Sequence, residues 1–589
     1  MDDPVTVQGR VLDGPVVGAL VCLDHNGNGR CDGAEPRSTS DQDGRYVLTV
    51  PRGSTAPLLA EVPAGQARTG GPGGPPVDRS YRLASPSADY GTDITPRSTV
   101  VHAAHAADPA LAEDLARAQL GLPPRHVLRP AAAPAAGSAD AAVAEAVVAA
   151  LKALGDELDL SSADALARLG AALPPALNTL PQLRIDTRGA APIVSKEVYV
   201  DAVFTLGRLA RPAESDVING RVRGRGNTTW DKPKNPYKLQ FSNDASYARV
   251  PDVLGMKKNR NWALLADWFD RSLMRNQLAL SLGNSAAFRD GLRWSPSGQH
   301  VEVWLNGDYV GVYLLTEDIR IDAARLDLHK MSTAAAGTDI DGGYIVEVDQ
   351  RLDCYKGDDL DLQLVTGAGV PICIDTPDEG AITPRQLAYI KAELQRTEDD
   401  LYGPRRLDRL HRESFVDWYL LQELLRNNDG QFYSSDFLWK DGSSAADPAD
   451  RLLHMGPLWD FDRAAGNVNY NGNWQVEGCW VSKGDRPNWY AALFQNPEFL
   501  DLTLQRWKAK RRAIEDFVRG GTAAFERRLQ GAQQRNFDRW PILREPLESF
   551  YVFGSHAEEV AFLRQFLLAR MMWLDLAFDS PGSFRALCQ

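Results

Sequence analysis

Four groups of residues have the types and spacing that chemistry needs. In Trp459-Asp460-Phe461-Asp462 two carboxylates flank one phenylalanine. Residues two apart on an extended backbone share a side, so Asp460 and Asp462 are expected to face one divalent cation, with Asp460 as the first ligand. In Leu424-Leu425-Arg426-Asn427-Asn428-Asp429 an apolar helical pattern stops and a carboxylate opens a loop. Placed there, Asp429 can orient an attacking hydroxyl and accept its proton. Arg223-Gly224-Arg225-Gly226 leads toward a strand carrying Lys234 and Lys238. Glycines let backbone N–H groups approach a phosphate, and the three cations Arg225, Lys234 and Lys238 can neutralise it. The fourth group is the twelve-residue run from Asp24 to Glu35. Its Asp24, Asn26, Asn28, Asp32 and Glu35 occupy the oxygen-donor positions of a calcium loop, with glycine at the bend. Each group also has a plain structural reading: a solvated Asp-x-Asp turn, a basic hairpin, an Asx-rich loop.

The elements that must position these residues divide the chain into regions, and a multidomain α+β protein is expected. Short strands over Val5–Val11, Gly18–Leu23 and Gly44–Val50 predict a small β-sandwich in residues 1–97. Strands flank the acidic loop, which argues against an EF-hand. Residues 98–183 are alanine-rich and helical in period, and carry no interpretable chemistry. From 184 to 580 strands alternate with helices, and residues 581–589 read as a tail. Within this long region Val301–Leu305 and Tyr309–Glu317 alternate on either side of Asn306-Gly307, which predicts a two-residue hairpin. Asp270 and Arg275, at the start of a helical pattern, are read as a cap and an internal partner.

Five stretches, in order, resemble the spore-coat-protein-H (CotH) family: 223–241, 261–276, 301–317, 423–439 and 455–467. The resemblance implies an atypical two-lobed, protein-kinase-like domain over 184–580 that takes ATP and magnesium. It implies that Lys238, with Lys234 as its competitor, holds phosphates together with Arg225. It also places Tyr313 and Glu317 near the adenine, makes Asp429 the catalytic carboxylate, and makes Asp460, with Asp462, the magnesium site. Relatives carry an asparagine where Ser434 or Ser435 stands here. A hydroxyl binds a metal less well than an amide carbonyl, so support for a second magnesium ion is weaker. The amino-terminal strands and their Asp43-Gly44-Arg45-Tyr46 run resemble prealbumin-like modules of bacterial surface proteins.

The implied function is transfer of the γ-phosphate of ATP to serine or threonine of a secreted or surface protein. One alternative is an inactive kinase-like binding or adhesion module. Another is a calcium-dependent adhesin using the acidic loop and the fourteen tryptophans, whose scatter through apparent core elements reads instead as packing. A net charge of −13 excludes a broad nucleic-acid-binding surface, and no apolar run is long enough to span a bilayer. The close spacing of Cys22 with Cys31 and of Cys354 with Cys373 permits disulfides, while Cys479 and Cys588 read as distant singles. An extracellular, cell-surface or periplasmic location is expected, although Met1-Asp2-Asp3-Pro4 runs into the first strand without a leader.

Overall fold

A computed structural model describes residues 4–107, 109, 112–120, 128, 139–173, 180–208, 211–250, 252–352, 362–377, 382–481 and 486–589. The chain separates into two compact units. One comprises residues 1–181 with 207–215 and 519–532, and the other holds the remainder.

In the first unit eight strands form three small sheets: β1 Val5–Arg10, β2 Val16–Val17, β3 Leu20–Leu23, β4 Arg37–Thr39, β5 Arg45–Val50, β6 Leu58–Val62, β7 Arg68–Thr69 and β8 Tyr81–Ser85. The largest sheet has the order β4-β3-β6-β8, and β1 pairs with β5 and β2 with β7. Strand β5 shows why it folds so: Tyr46, Leu48 and Val50 are buried while Arg45, Val47 and Thr49 face water, a period of two. Helix Pro96–Ala107 begins where Thr95 and Ser98 exchange hydrogen bonds, Thr95 N to Ser98 Oγ at 2.8 Å and Ser98 N to Thr95 Oγ1 at 3.0 Å. The Ser98 hydroxyl also donates to Ala84 O of β8 at 2.6 Å. The helix is thus stitched to the sheet, and the break expected near residue 97 falls inside one unit. Among the described residues the helices Ala112–Leu120, Ala139–Leu154 and Ala165–Ala172 follow.

A closed barrel, most of whose residues belong to the second unit, is formed by β9 Gln182–Thr187, β10 Val200–Arg208, β11 Arg211–Gly224, β12 Tyr237–Phe241, β13 Asn261–Leu265, β14 Gly298–Leu305 and β15 Asp308–Glu317. The order is β10-β11-β12-β13-β15-β14-β9, and β9 closes the ring by running parallel to β14 and antiparallel to β10. The predicted hairpin is present, with Asn306 and Gly307 both at positive φ, 50° and 88°. Phe204, Leu239, Phe241, Trp262, Leu264 and Leu315 fill the barrel. A five-stranded sheet follows, ordered β17-β18-β16-β19-β20, from β16 Tyr344–Val348, β17 Gln363–Val365, β18 Pro371–Thr376, β19 Asp436–Lys440 and β20 Leu453–Met455. Helices Pro384–Tyr402, Arg412–Leu425, Pro497–Arg539 and His556–Ala577 accompany it.

The cysteines sharpen the sequence reading and correct part of it. Cys22 and Cys31 are bonded, as their spacing allows. Cys373 is disulfide-bonded, and Cys354 lies outside the described residues. Cys479 and Cys588, read as singles, form a disulfide across 109 residues. Residues 581–589 are correspondingly more than a tail: Pro581–Cys588 is a helix whose Phe584 and Cys588 are buried.

Candidate functional site

Strand alternation aims the first functional side chain. On β12 Tyr237, Leu239 and Phe241 are buried in the barrel, so Lys238 turns outward, where its Nζ lies 3.0 Å from Asp318 Oδ2. It faces a cleft of about 590 Å³. The Gly-containing turn after β11 reaches the same cleft. Gly226 has φ +83°, and a Cβ there would lie 2.3 Å from Thr229 Oγ1, so this turn needs glycine. Arg225 sits with its guanidinium 5.3 Å from the Trp459 ring centroid. Burial pulls its pKa down, opposed by Asp460 and Asp318.

Helix Arg412–Leu425 ends at Arg426, a left-handed C-cap with φ 42°. The Arg426 guanidinium donates to the carbonyls of Gly472, Glu477 and Gly478, which anchors the departing chain. Three residues later Asp429 enters the cleft, and its carbonyl accepts from Gln431 N and Tyr433 N at 2.8 and 3.1 Å, curling the loop around it. Asn428 Nδ2 donates to Asp429 Oδ1 at 3.2 Å.

Asp460 and Asp462 both line the cleft, but not by the expected route. Asp460 has φ +60°, so the segment is not extended and alternation does not align the two carboxylates. Phe461 is buried between them, with its N–H held by Asn276 Oδ1 at 2.7 Å. Asp270 and Arg275 keep the structural role read from sequence. Asp270 accepts from Ser272 N, Met274 N and Arg275 N, and pairs with the Arg275 guanidinium at 2.5 Å.

Three expected site residues do not reach the cleft. Lys234 is buried, donates to Val312 O and lies 4.8 Å from the Tyr313 ring centroid. Burial pulls its pKa down to about 7. Tyr313 packs in the barrel core and its hydroxyl donates to Asn235 O at 3.0 Å. Glu317 turns inward to Arg325 at 2.6 Å and accepts from Ser297 N. The corrections at Tyr313 and Glu317 share one cause. Tyr313, Leu315 and Glu317 fall on one side of β15, and that side packs away from the cleft, while Asp318, one residue beyond the strand, faces it. Ser434 is buried off the cleft and Ser435 lines it, whereas amide side chains reach it from Asn276, Asn428 and Asn471.

The charge in the cleft is unbalanced. Nine carboxylates line it against five cations. Burial, then Asp460, raises Asp429 to about 6. Burial, then Asp270, raises Asp267 to about 7, and Asp460 adds to it. Burial and Asp375 raise Glu347 to about 8, and Asp462 is pushed well above the carboxylate range by burial and Asp460. Like charges that face one another in a desolvated cleft are relieved by retaining a proton or by taking up a cation. An oxygen-only donor set of this kind suits a hard divalent ion such as magnesium. Among the described residues, though, no group of three or more His, Cys, Asp or Glu side chains stands at metal-holding spacing. Sequence reasoning passed over Asp267, Asp318, Glu347, Asp349 and Asp375. Glu347-Val348-Asp349 has the same carboxylate-x-carboxylate form as the pair that was chosen, and was the available signal.

The amino-terminal loop, where calcium is expected, is held by a dense set of internal hydrogen bonds. Asp24 accepts from Asn28 N at 3.1 Å and Gly29 N at 2.9 Å. Glu35 accepts from His25 N at 2.8 Å and Asp32 N at 3.0 Å. The side-chain oxygens of Asn26 and Asn28 accept from Asn28 N and Arg30 N, and their amide nitrogens donate to Asp32 Oδ2. The loop closes on its own amides.

Residues 222–574, more than half of the chain, match a family described as CotH kinase protein, a class of kinase-like proteins. The chain belongs to this CotH kinase family. No curated protein matches it. No helix among the described residues is long and apolar enough to cross a membrane.

Proposed function

We propose that the chain is an ATP-dependent phosphotransferase whose acceptor is a serine or threonine hydroxyl of a secreted or surface protein. The observation that carries this reading is the convergence of Lys238, Arg225, Asp429, Asp460 and Asp462 on one acidic cleft, within the span that belongs to the CotH kinase family. Arg225 and Lys238 neutralise ATP phosphates, and Asp460 and Asp462 hold magnesium. When bound, magnesium offsets phosphate charge that this acidic cleft would otherwise repel. Asp429 orients the acceptor hydroxyl. The hydroxyl oxygen forms a bond to the γ-phosphorus, the bond from that phosphorus to the β,γ-bridging oxygen breaks, ADP leaves, and the hydroxyl proton passes to Asp429. With its pKa raised to about 6, Asp429 is mostly ionised at neutral pH and a stronger base than an ordinary aspartate. The disulfides Cys22–Cys31 and Cys479–Cys588 support an exported location, where such bonds persist.

Purified protein incubated with ATP and magnesium, read by ADP release and by intact mass of the protein and of candidate secreted acceptors, tests the reading. Turnover that falls at acid pH as Asp429 takes up a proton is expected. Binding of ATP and magnesium without transfer to itself or to any secreted protein would establish the binding-module alternative instead.

A further inference from the structure

Among the ties that hold the segment carrying Asp460 and Asp462, several come from one short stretch of chain distant in sequence, residues 267–276. Asn276, 3 % exposed and in the first turn of helix Arg275–Gly283, makes two hydrogen bonds of 2.7 Å in opposite directions. Its Oδ1 accepts from Phe461 N, between the two aspartates, and its Nδ2 donates to Asp267 Oδ1. Only a side chain with both an acceptor and a donor makes this bridge; a carboxylate lacks the donor and an aliphatic group lacks both. The neighbouring Arg275 secures the far end of the same segment, Nε to Ala464 O at 2.9 Å and Nη2 to Ala465 O at 3.3 Å. Asn467 Nδ2 returns a bond to Phe269 O at 2.9 Å. Both ends of 460–467 are therefore tied to 267–276, and Asn276 is the residue of that stretch that bonds the backbone N–H between the two carboxylates, where Asp460 is left-handed. A buried amide with both ends satisfied fixes a turn tightly, and losing one end leaves a desolvated partner unpaired.

We infer that Asn276 is a positioning residue for the cation-holding segment: by bridging Asp267 to Phe461 N–H it sets the direction in which Asp460 and Asp462 present their carboxylates. This rests on the proposed function for its ligand, magnesium with ATP, but not for the bridge itself. The variant Asn276→Asp keeps an acceptor for Phe461 and replaces the donor to Asp267 by a like charge. It is expected to raise the magnesium concentration needed for half-maximal ATP binding, measured by calorimetry, about tenfold or more. The double variant Asp267→Asn with Asn276→Asp exchanges donor and acceptor and is expected to recover to within about threefold of the parent. A side chain with only a packing role gives no such rescue. If the added charge prevents folding, Asn276→Ser, too short to span both partners, is expected to give the same rise. Parent-like magnesium dependence in a folded Asn276→Asp or Asn276→Ser variant, or a double variant no better than Asn276→Asp, would overturn the inference. If the parent itself binds no magnesium with ATP, the proposed function falls. The bridge is then decided by hydrogen exchange at Phe461 N–H, which it requires to be slow in the parent and fast in Asn276→Ser; equal rates would sink it.

Discussion

The two acidic regions of this protein look alike in sequence and differ in what their oxygens do. From Asp24 to Glu35 the donors fall in a complete calcium-loop register, yet backbone amides occupy the carboxylates of Asp24 and Glu35, and side-chain amides reach Asp32. In the cleft the carboxylates come from scattered positions, and several face one another: Asp429, Asp462, Asp267 and Glu347 are all pushed up by burial together with a neighbouring acid. The loop's carboxylates are engaged by its own N–H groups. The cleft's acids instead raise one another, and such mutual perturbation is a mark of a ligand site. Counting oxygens therefore favours the loop, and accounting for their partners favours the cleft.

The largest expected contrast is in turnover. Asp429→Asn should lower kcat by about a hundredfold or more while nucleotide affinity stays within about threefold, since a base contributes to the chemical step alone. Asp24→Asn, the matching change in the loop, should leave turnover unaltered; steady-state kinetics beside binding calorimetry would show an unequal pair. Asp460→Asn comes next. Removing a full negative charge from a magnesium site should weaken magnesium-dependent ATP binding about tenfold or more, and equal affinities in parent and variant would remove Asp460 from the site.

A smaller effect separates the regions by pH. Asp429, Asp267 and Glu347 have folded-state values of about 6, 7 and 8, above their unfolded values near 4. Each then adds stability that is complete below about pH 4 and is lost as pH rises through its folded value, between about 6 and 8. Magnesium should offset that loss, so its upward shift of the melting temperature should be greater at pH 8 than at pH 5.5 in scanning calorimetry. A shift independent of pH would mean that the protein's own cations already balance the cleft, as amides balance the loop. The smallest effect should be that of calcium at millimolar concentration on the first unit, about 1 °C or less. A rise of several degrees would show the loop opening its amides to an ion and would erase the distinction.

Much of the local structure is legible in the sequence. The Asn306-Gly307 hairpin, the helix stop before Asp429 and the internal pairing of Asp270 with Arg275 are all local in the chain, so spacing reports them. What was not legible depends on how strands are assembled. Alternation along β15 puts Tyr313 and Glu317 on one side, but only closure of the barrel decides which side faces the cleft. Lys234 and Lys238 are four residues apart and equally cationic. Their separation into a buried structural lysine and a cleft lysine is set by the strand start at Tyr237. Glu347 and Asp375 come to the cleft from neighbouring antiparallel strands, and Asp267 from the end of β13, partnerships that no short window of sequence contains.

The bond between Cys479 and Cys588 also has a kinetic meaning. At about 5–20 residues per second, a ribosome takes roughly 5–20 s to pass from the first cysteine to the second. Throughout that interval Cys479 waits as a thiol, while the intervening chain, including helices Pro497–Arg539 and His556–Ala577, has still to emerge. Covalent closure thus waits for residue 588 to emerge. It favours an assembly sequence in which the walls of the cleft are laid down first and the final helix is fastened over Cys479 afterwards.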